Sequence, residues 1–183
     1  MNDRPNDRTM SPRLQRTAKL LGLFMFGAVA SVMGVMVVLR IVRGDHLPPL
    51  DDVGWSHARE VWDQAGVRDY DIEIVVTGRQ AATYAVCVRD GRPLSALRNG
   101  APLKQERTWA TWSVEGMFET IARDLETVAK HRTGRADTST PQLQLRAVFD
   151  PALGLPQRYL RTEMVKRGTN PEVSWQVTEF RRE

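Results

Sequence analysis

Few side chains in this sequence have a type and spacing that could do chemistry. Cys87 is the sole cysteine, so a thiolate nucleophile would have to come from it. It stands two residues from Ala85 and Arg89 in an alternating apolar segment with no helix start beside it, which reads as a half-buried, inert thiol. His46, His57 and His131 fall in three separate stretches, none at the close spacing of a zinc pair. Ser56-His57 lacks a nearby acid to complete a triad, and no G-x-S-x-G marks a nucleophile elbow. Asp71 and Glu73 share one face of an alternating segment and could be paired carboxylates, but Arg79 and Arg89 on the next segment offer cross-strand ion pairs. No catalytic group, metal site or cofactor motif is therefore expected.

Two further groups are candidate interaction residues. In Asp150-Pro151-Ala152-Leu153-Gly154-Leu155-Pro156, Asp150 can accept backbone N–H bonds, Pro151 fixes φ and Gly154 permits positive φ; this is a structural turn or, since loops on rigid sheets carry function, a ligand loop. Trp109 and Trp112 precede a long amphipathic stretch, where one would staple the helix start and the other would face solvent. Exposure of both beside the Asp150 turn would make a binding surface.

The elements that must position these residues follow from hydrophobic period. Ser56 can cap a helix to about Ala65, stopped by Gly66. Residues 69–77 alternate, with Tyr70, Ile72, Ile74 and Val76 on one side; residues 83–89 repeat this through Tyr84, Val86 and Val88. Asp90-Gly91 is a hairpin turn into a strand around residues 94–97, and Asn99-Gly100 marks the next turn. Ser113 caps a helix to about Lys130, with Val114, Met117, Phe118, Ile121, Leu125 and Val128 as its apolar stripe. A polar loop over 131–141 then leads to strands at 143–149, 158–165 and 173–180. The expected fold is α+β, an antiparallel sheet with helices on one face, in the order helix, three strands, helix, three strands.

The N-terminal third belongs to a different solvent. Twenty residues from Leu20 to Leu39 carry no charge, and at about 1.5 Å per residue they match the roughly 30 Å hydrocarbon core of a bilayer. Arg4, Arg8, Arg13, Arg16 and Lys19 precede the run; only Arg40 and Arg43 follow it before Asp45, Asp51 and Asp52. The positive-inside rule then places the N-terminus in the cytoplasm and the rest in the periplasm or outside. Ala28-Val29-Ala30 resembles a signal cleavage site after Ala30, but the apolar sequence continues through Leu39, favouring an uncleaved anchor. Gly27, Ala30, Ser31 and Gly34 recur at helical spacing and would let two such helices form a homodimer seam, although small residues are common in membrane helices generally. The expected organisation is a disordered cytoplasmic tail over 1–19, a transmembrane helix over 20–42, a Pro-bearing linker over 43–54 that keeps the domain near the bilayer, and an extracytoplasmic domain over 55–183.

The net charge of +4 does not imply nucleic-acid binding. Its excess sits beside the hydrophobic run, where it meets lipid headgroups; residues 44–183 hold 19 basic against 20 acidic side chains. With one cysteine, no intramolecular disulfide can form, so a single core must hold the outer domain together.

The tyrosine-bearing segment with Tyr70-Asp71, the turns at Asp90-Gly91 and Asn99-Gly100, the opening Ser113-Val114-Glu115 and the turn from Asp150 to Pro156 together resemble a bacterial family of unknown function, DUF 6174. The resemblance covers about residues 55–181 and implies an exported domain with no assigned activity; this chain differs in having a helical anchor and no lipid-attachment cysteine. The expected function is that of a single-pass envelope protein. It is held by membrane lipid and binds a partner protein, peptide or envelope component through a sheet edge or groove. The alternative is an envelope hydrolase or transferase with a cleft between sheet and helix.

Overall fold

The computed structural model describes residues 47–79 and 81–183. The hydrophobic run, its basic flanks, His46 and the small-residue seam of Gly27, Ala30, Ser31 and Gly34 lie outside the described residues. Among the described residues, no helix is long and apolar enough to cross a membrane.

Helix α1 (Asp52–Ala65) starts five residues earlier than its sequence suggests. Asp51 is the cap, its carboxylate accepting from Gly54 N at 2.8 Å, and Gly66 ends the helix at φ 60°. Ser56, the expected cap, lies inside the helix and donates to Val53 O. Residues 47–50, expected as linker, are likewise part of the fold: Leu50 N donates to Leu145 O at 3.0 Å and Pro48 O accepts from Ala147 N at 3.2 Å.

Strands β1 (Tyr70–Thr77), β2 (Ala82–Arg89) and β3 (Arg92–Arg98) follow. The turns Asp90-Gly91 and Asn99-Gly100 have all four residues at positive φ, the mirror-image geometry that suits two-residue hairpins. The second turn leads into β4 (Ala101–Pro102), which pairs with β3. The order is therefore helix, four strands, helix, three strands rather than three and three. A two-residue strand is too short to show any alternation in sequence, and the hydrogen-bonding edge of β3 creates it. Two single 3-10 turns, Glu106–Thr108 and Ala110–Trp112, connect to α2 (Val114–Arg132), capped by Ser113. Strands β5 (Gln142–Phe149), β6 (Pro156–Met164) and β7 (Glu172–Arg182) complete the chain.

All seven strands form one antiparallel sheet in the order β4-β3-β2-β1-β7-β6-β5. Each half is a helix followed by a meander, and the two meanders lie side by side in the same direction of travel across the sheet. Both helices cover one face, where Tyr70, Ile72, Ile74, Val76, Tyr84, Val86, Leu145, Tyr159 and Trp175 meet Trp62, Met117, Phe118 and Ile121. The opposite face carries Asp71, Glu73, Cys87, Arg89, Glu179 and Arg181, by the pairing of Asp71 with Cys87 and Arg181. Both sheet edges are blunted against further pairing. Pro93 and Pro102 interrupt the β3–β4 edge, and the segment 47–50 lies along β5.

Candidate functional site

The residues singled out in the sequence do not assemble into one site. Asp150 Oδ1 accepts from Ala152 N and Leu153 N, each at 2.9 Å, and Oδ2 accepts from Gln157 Nε2. Gly154, at φ 72°, lies so close to Ala58 O of α1 that a Cβ could not fit there. Trp109 and Trp112 sit elsewhere, beside β2 and β3, and both are half-buried. Trp109 Nε1 donates to Leu103 O at 2.8 Å, which fixes the two 3-10 turns. Trp112 stacks on Tyr84, ring centroids 3.9 Å apart.

The other sequence candidates are also separated. His57 is exposed on α1, and His131 lies within hydrogen-bonding distance of Thr140 O and Pro141 O. Burial pushes the Cys87 thiol up, and a hydrogen bond with Asp71 adds to the shift, so it is kept from the reactive thiolate form. On the open sheet face, Arg89 donates to Asp71 at 3.2 Å and to Glu183, and its hydrogen bond holds the Asp71 carboxyl below its ordinary value. Glu73 pairs with no arginine among the described residues; it accepts from Thr178 Oγ1 at 3.0 Å and stands opposite Glu179. No cluster of three metal-ligating side chains occurs among the described residues.

Of the several pockets among the described residues, the one that gathers unpaired cations beside aromatic rings was only half visible in the sequence. Tyr84, facing inward from β2, Arg98 at the end of β3, and Leu103, Lys104, Gln105, Thr108 and Trp112 of the connecting segment line a cavity of about 450 Å³. That volume is within the range of ligand pockets, roughly 300–1,000 Å³. Local structure explains the arrangement: the Asn99-Gly100 turn returns the chain along β3, Leu103 N donates to Ala96 O, and the 3-10 turns fold Trp112 onto Tyr84.

The polar groups of this pocket are available to a ligand. Tyr84 is 4% exposed, yet its hydroxyl finds no hydrogen-bond partner among the described residues. The partnerless Trp55 and Trp175 indole nitrogens are sealed from solvent, but the Tyr84 hydroxyl is not. The other two buried tyrosines are satisfied: Tyr70 OH accepts from Val114 N at 3.0 Å, and Tyr159 OH donates to Asp124 at 2.6 Å. Arg98 and Lys104, like several other surface cations of the domain, form no ion pair among the described residues, but these two line the same cavity. In the sequence Trp112 stands out as an interaction candidate and Tyr84 as a core residue; the cations between Arg92 and Arg107 do not stand out, because the charge excess of the whole chain lies beside the hydrophobic run.

Comparison of the chain with protein-family models, with curated proteins and with solved structures finds no match.

Proposed function

We propose that this chain is a single-pass membrane-anchored envelope protein whose outer domain binds a partner or envelope component through the pocket over Tyr84. The observation that carries this reading is a cavity of about 450 Å³ walled by the stacked Trp112 and Tyr84 rings and flanked by Arg98 and Lys104. Sheet-edge pairing is the weaker route, because prolines and the segment 47–50 occupy both edges. The residues lining the pocket include no carboxylate, histidine or cysteine, so the site offers recognition groups in place of an acid–base pair for hydrolysis. The charge asymmetry around Leu20–Leu39 supports the orientation, and the likeness to an exported family supports the location.

A photo-crosslinking amino acid placed at Thr108 and, separately, at the exposed α1 position Glu60 tests the reading in native membranes. We expect a discrete product from position 108 that is absent from position 60. The same products from both positions would sink the pocket as the site of contact. In spheroplasts, external protease is expected to digest residues 47–183 and spare the N-terminus; the reverse pattern would overturn the orientation.

A further inference from the structure

We infer that the pocket over Tyr84 is an anion site, taking a carboxylate or phosphate group carried on a planar or apolar body; this rests on the binding role proposed above and specifies its ligand chemistry. Three independent observations converge. The first is charge: among residues 92–112 there are four cations, Arg92, Arg98, Lys104 and Arg107, and one acid, Glu106, whereas the rest of residues 44–183 holds 15 basic against 19 acidic side chains. Arg98 and Lys104 line the cavity itself without acidic partners among the described residues. A cationic ligand would meet like charge there, while an anion would gain charge-assisted hydrogen bonds roughly twice as strong as neutral ones.

The second observation is the Tyr84 hydroxyl. It is a donor held in place by the hydrophobic core, since the ring is fixed between β-sheet neighbours and Trp112 and little freedom is left to lose on binding. Its stack on Trp112 fixes where the donor lies relative to the loop. The third is the wall. Trp112 and Leu103 present apolar surface next to the cations, so a bare inorganic ion would leave most of the cavity unused, and a ligand with a ring attached to its charge would fill it. Gln105 and Thr108 add neutral polar groups at the rim.

The full-length chain in a non-ionic detergent, titrated with benzoate, phenyl phosphate and the neutral benzyl alcohol, tests this through the indole NMR resonance of Trp112. Both anions are expected to shift it saturably, with affinity falling as salt rises, and the alcohol to bind about tenfold more weakly or worse. Arg98→Gln combined with Lys104→Gln should cost the anions about tenfold, and Tyr84→Phe, which keeps the stack, several-fold. The Trp62 indole resonance, remote from the pocket, confirms that each variant is folded. Tighter binding of phenyl phosphate would identify a phosphate-bearing source such as a lipid headgroup, and tighter binding of benzoate a carboxylate-bearing one; either supports the site. If the alcohol binds as well as the anions, or the double substitution leaves anion affinity unchanged, the anion assignment is wrong while binding at the pocket stands. If none of the three probes saturates, both readings fall.

Discussion

Tyr70 and Tyr84 are inward-facing tyrosines on neighbouring strands, 2% and 4% exposed, yet their surroundings differ sharply. Around Tyr70 the hydroxyl and the charged side chains find partners. Its hydroxyl accepts from the first N–H of α2, Glu115 accepts from both Trp62 Nε1 and Arg59, and Arg59 also lies 5.2 Å from the centre of the Phe118 ring. Trp62, Tyr70 and Phe180 pack in an aromatic cluster with centroids 5.4–6.1 Å apart. This region ties α1 to α2 and both to the sheet. Around Tyr84 the aromatic packing is as close, but the hydroxyl and two cations have no protein partner among the described residues. Internal pairing is what ties the helices to the sheet around Tyr70, and a solvent-open hydroxyl beside these cations is what leaves the Tyr84 side able to take a ligand.

The largest expected effect lies on the satisfied side. Trp62→Ala should cost about 3–5 kcal/mol in urea unfolding, and Trp112→Ala clearly less because that ring is only half-buried. Equal losses would mean that Trp112 is core and not a pocket wall. Next, Tyr70→Phe should cost about 1–3 kcal/mol by leaving Val114 N–H buried without an acceptor.

The pH dependence follows from the same contrast. Burial pushes the Tyr70 hydroxyl up to about 12, and Tyr159 is raised too, by burial first and then by the Asp124 carboxylate. Groups raised in the folded state contribute stability that is fully present below the unfolded tyrosine value of about 10. That stability is lost as pH rises toward the folded value of about 12. Unfolding midpoints measured between these limits should fall, and the fall should be smaller in Tyr70→Phe. An unchanged slope in that variant would separate Tyr70 from the alkaline transition.

The smallest effects sharpen the comparison from the other side. Tyr84→Phe should change stability by no more than about 0.5 kcal/mol, since no protein hydrogen bond is lost, and a cost matching that of Tyr70→Phe would reveal a partner and empty the contrast. Asp137, in the loop after α2, is a satisfied but exposed case: hydrogen bonds from Ser139 and Thr140 hold its carboxyl down to about 2. The order it gives the loop is present above the ordinary carboxylate value of about 3.9 and is lost as pH falls through about 2. Hydrogen exchange at Ser139 and Thr140 should therefore speed up in Asp137→Ala at neutral pH with global stability unchanged.

Much of the fold was legible because local rules act on neighbouring residues. The alternation of Tyr70, Ile72, Ile74 and Val76, the stripe from Val114 to Leu125, the Ser113 cap and both hairpin turns need only nearby side chains to declare themselves, and each lies where its pattern puts it. Features that depend on distant chain were missed. Residues 47–50 read as part of a Pro-bearing linker and lie along the sheet only because they meet the β5 edge, which is nearly a hundred residues away in the chain. β4 exists because β3 offers it a partner; the Asp51 cap is local, but the recurrence of apolar residues begins too late to reveal the extra turn before Ser56.

The sequence by itself determined the antiparallel α+β class, the apolar stretch from Leu20 to Leu39 with its asymmetric basic flanks, and the near balance of charge beyond it, since period and composition are properties of the chain. The tertiary structure alone decided which aromatic residues would be anchors and which would line a cavity. Tyr70 and Tyr84 occupy equivalent places in near-identical alternating patterns; their hydroxyls differ because a helix N-terminus reaches one and an open pocket reaches the other. Whether a buried polar atom is satisfied depends on what long-range packing brings within about 3 Å of it, and one-dimensional spacing carries no information on that distance.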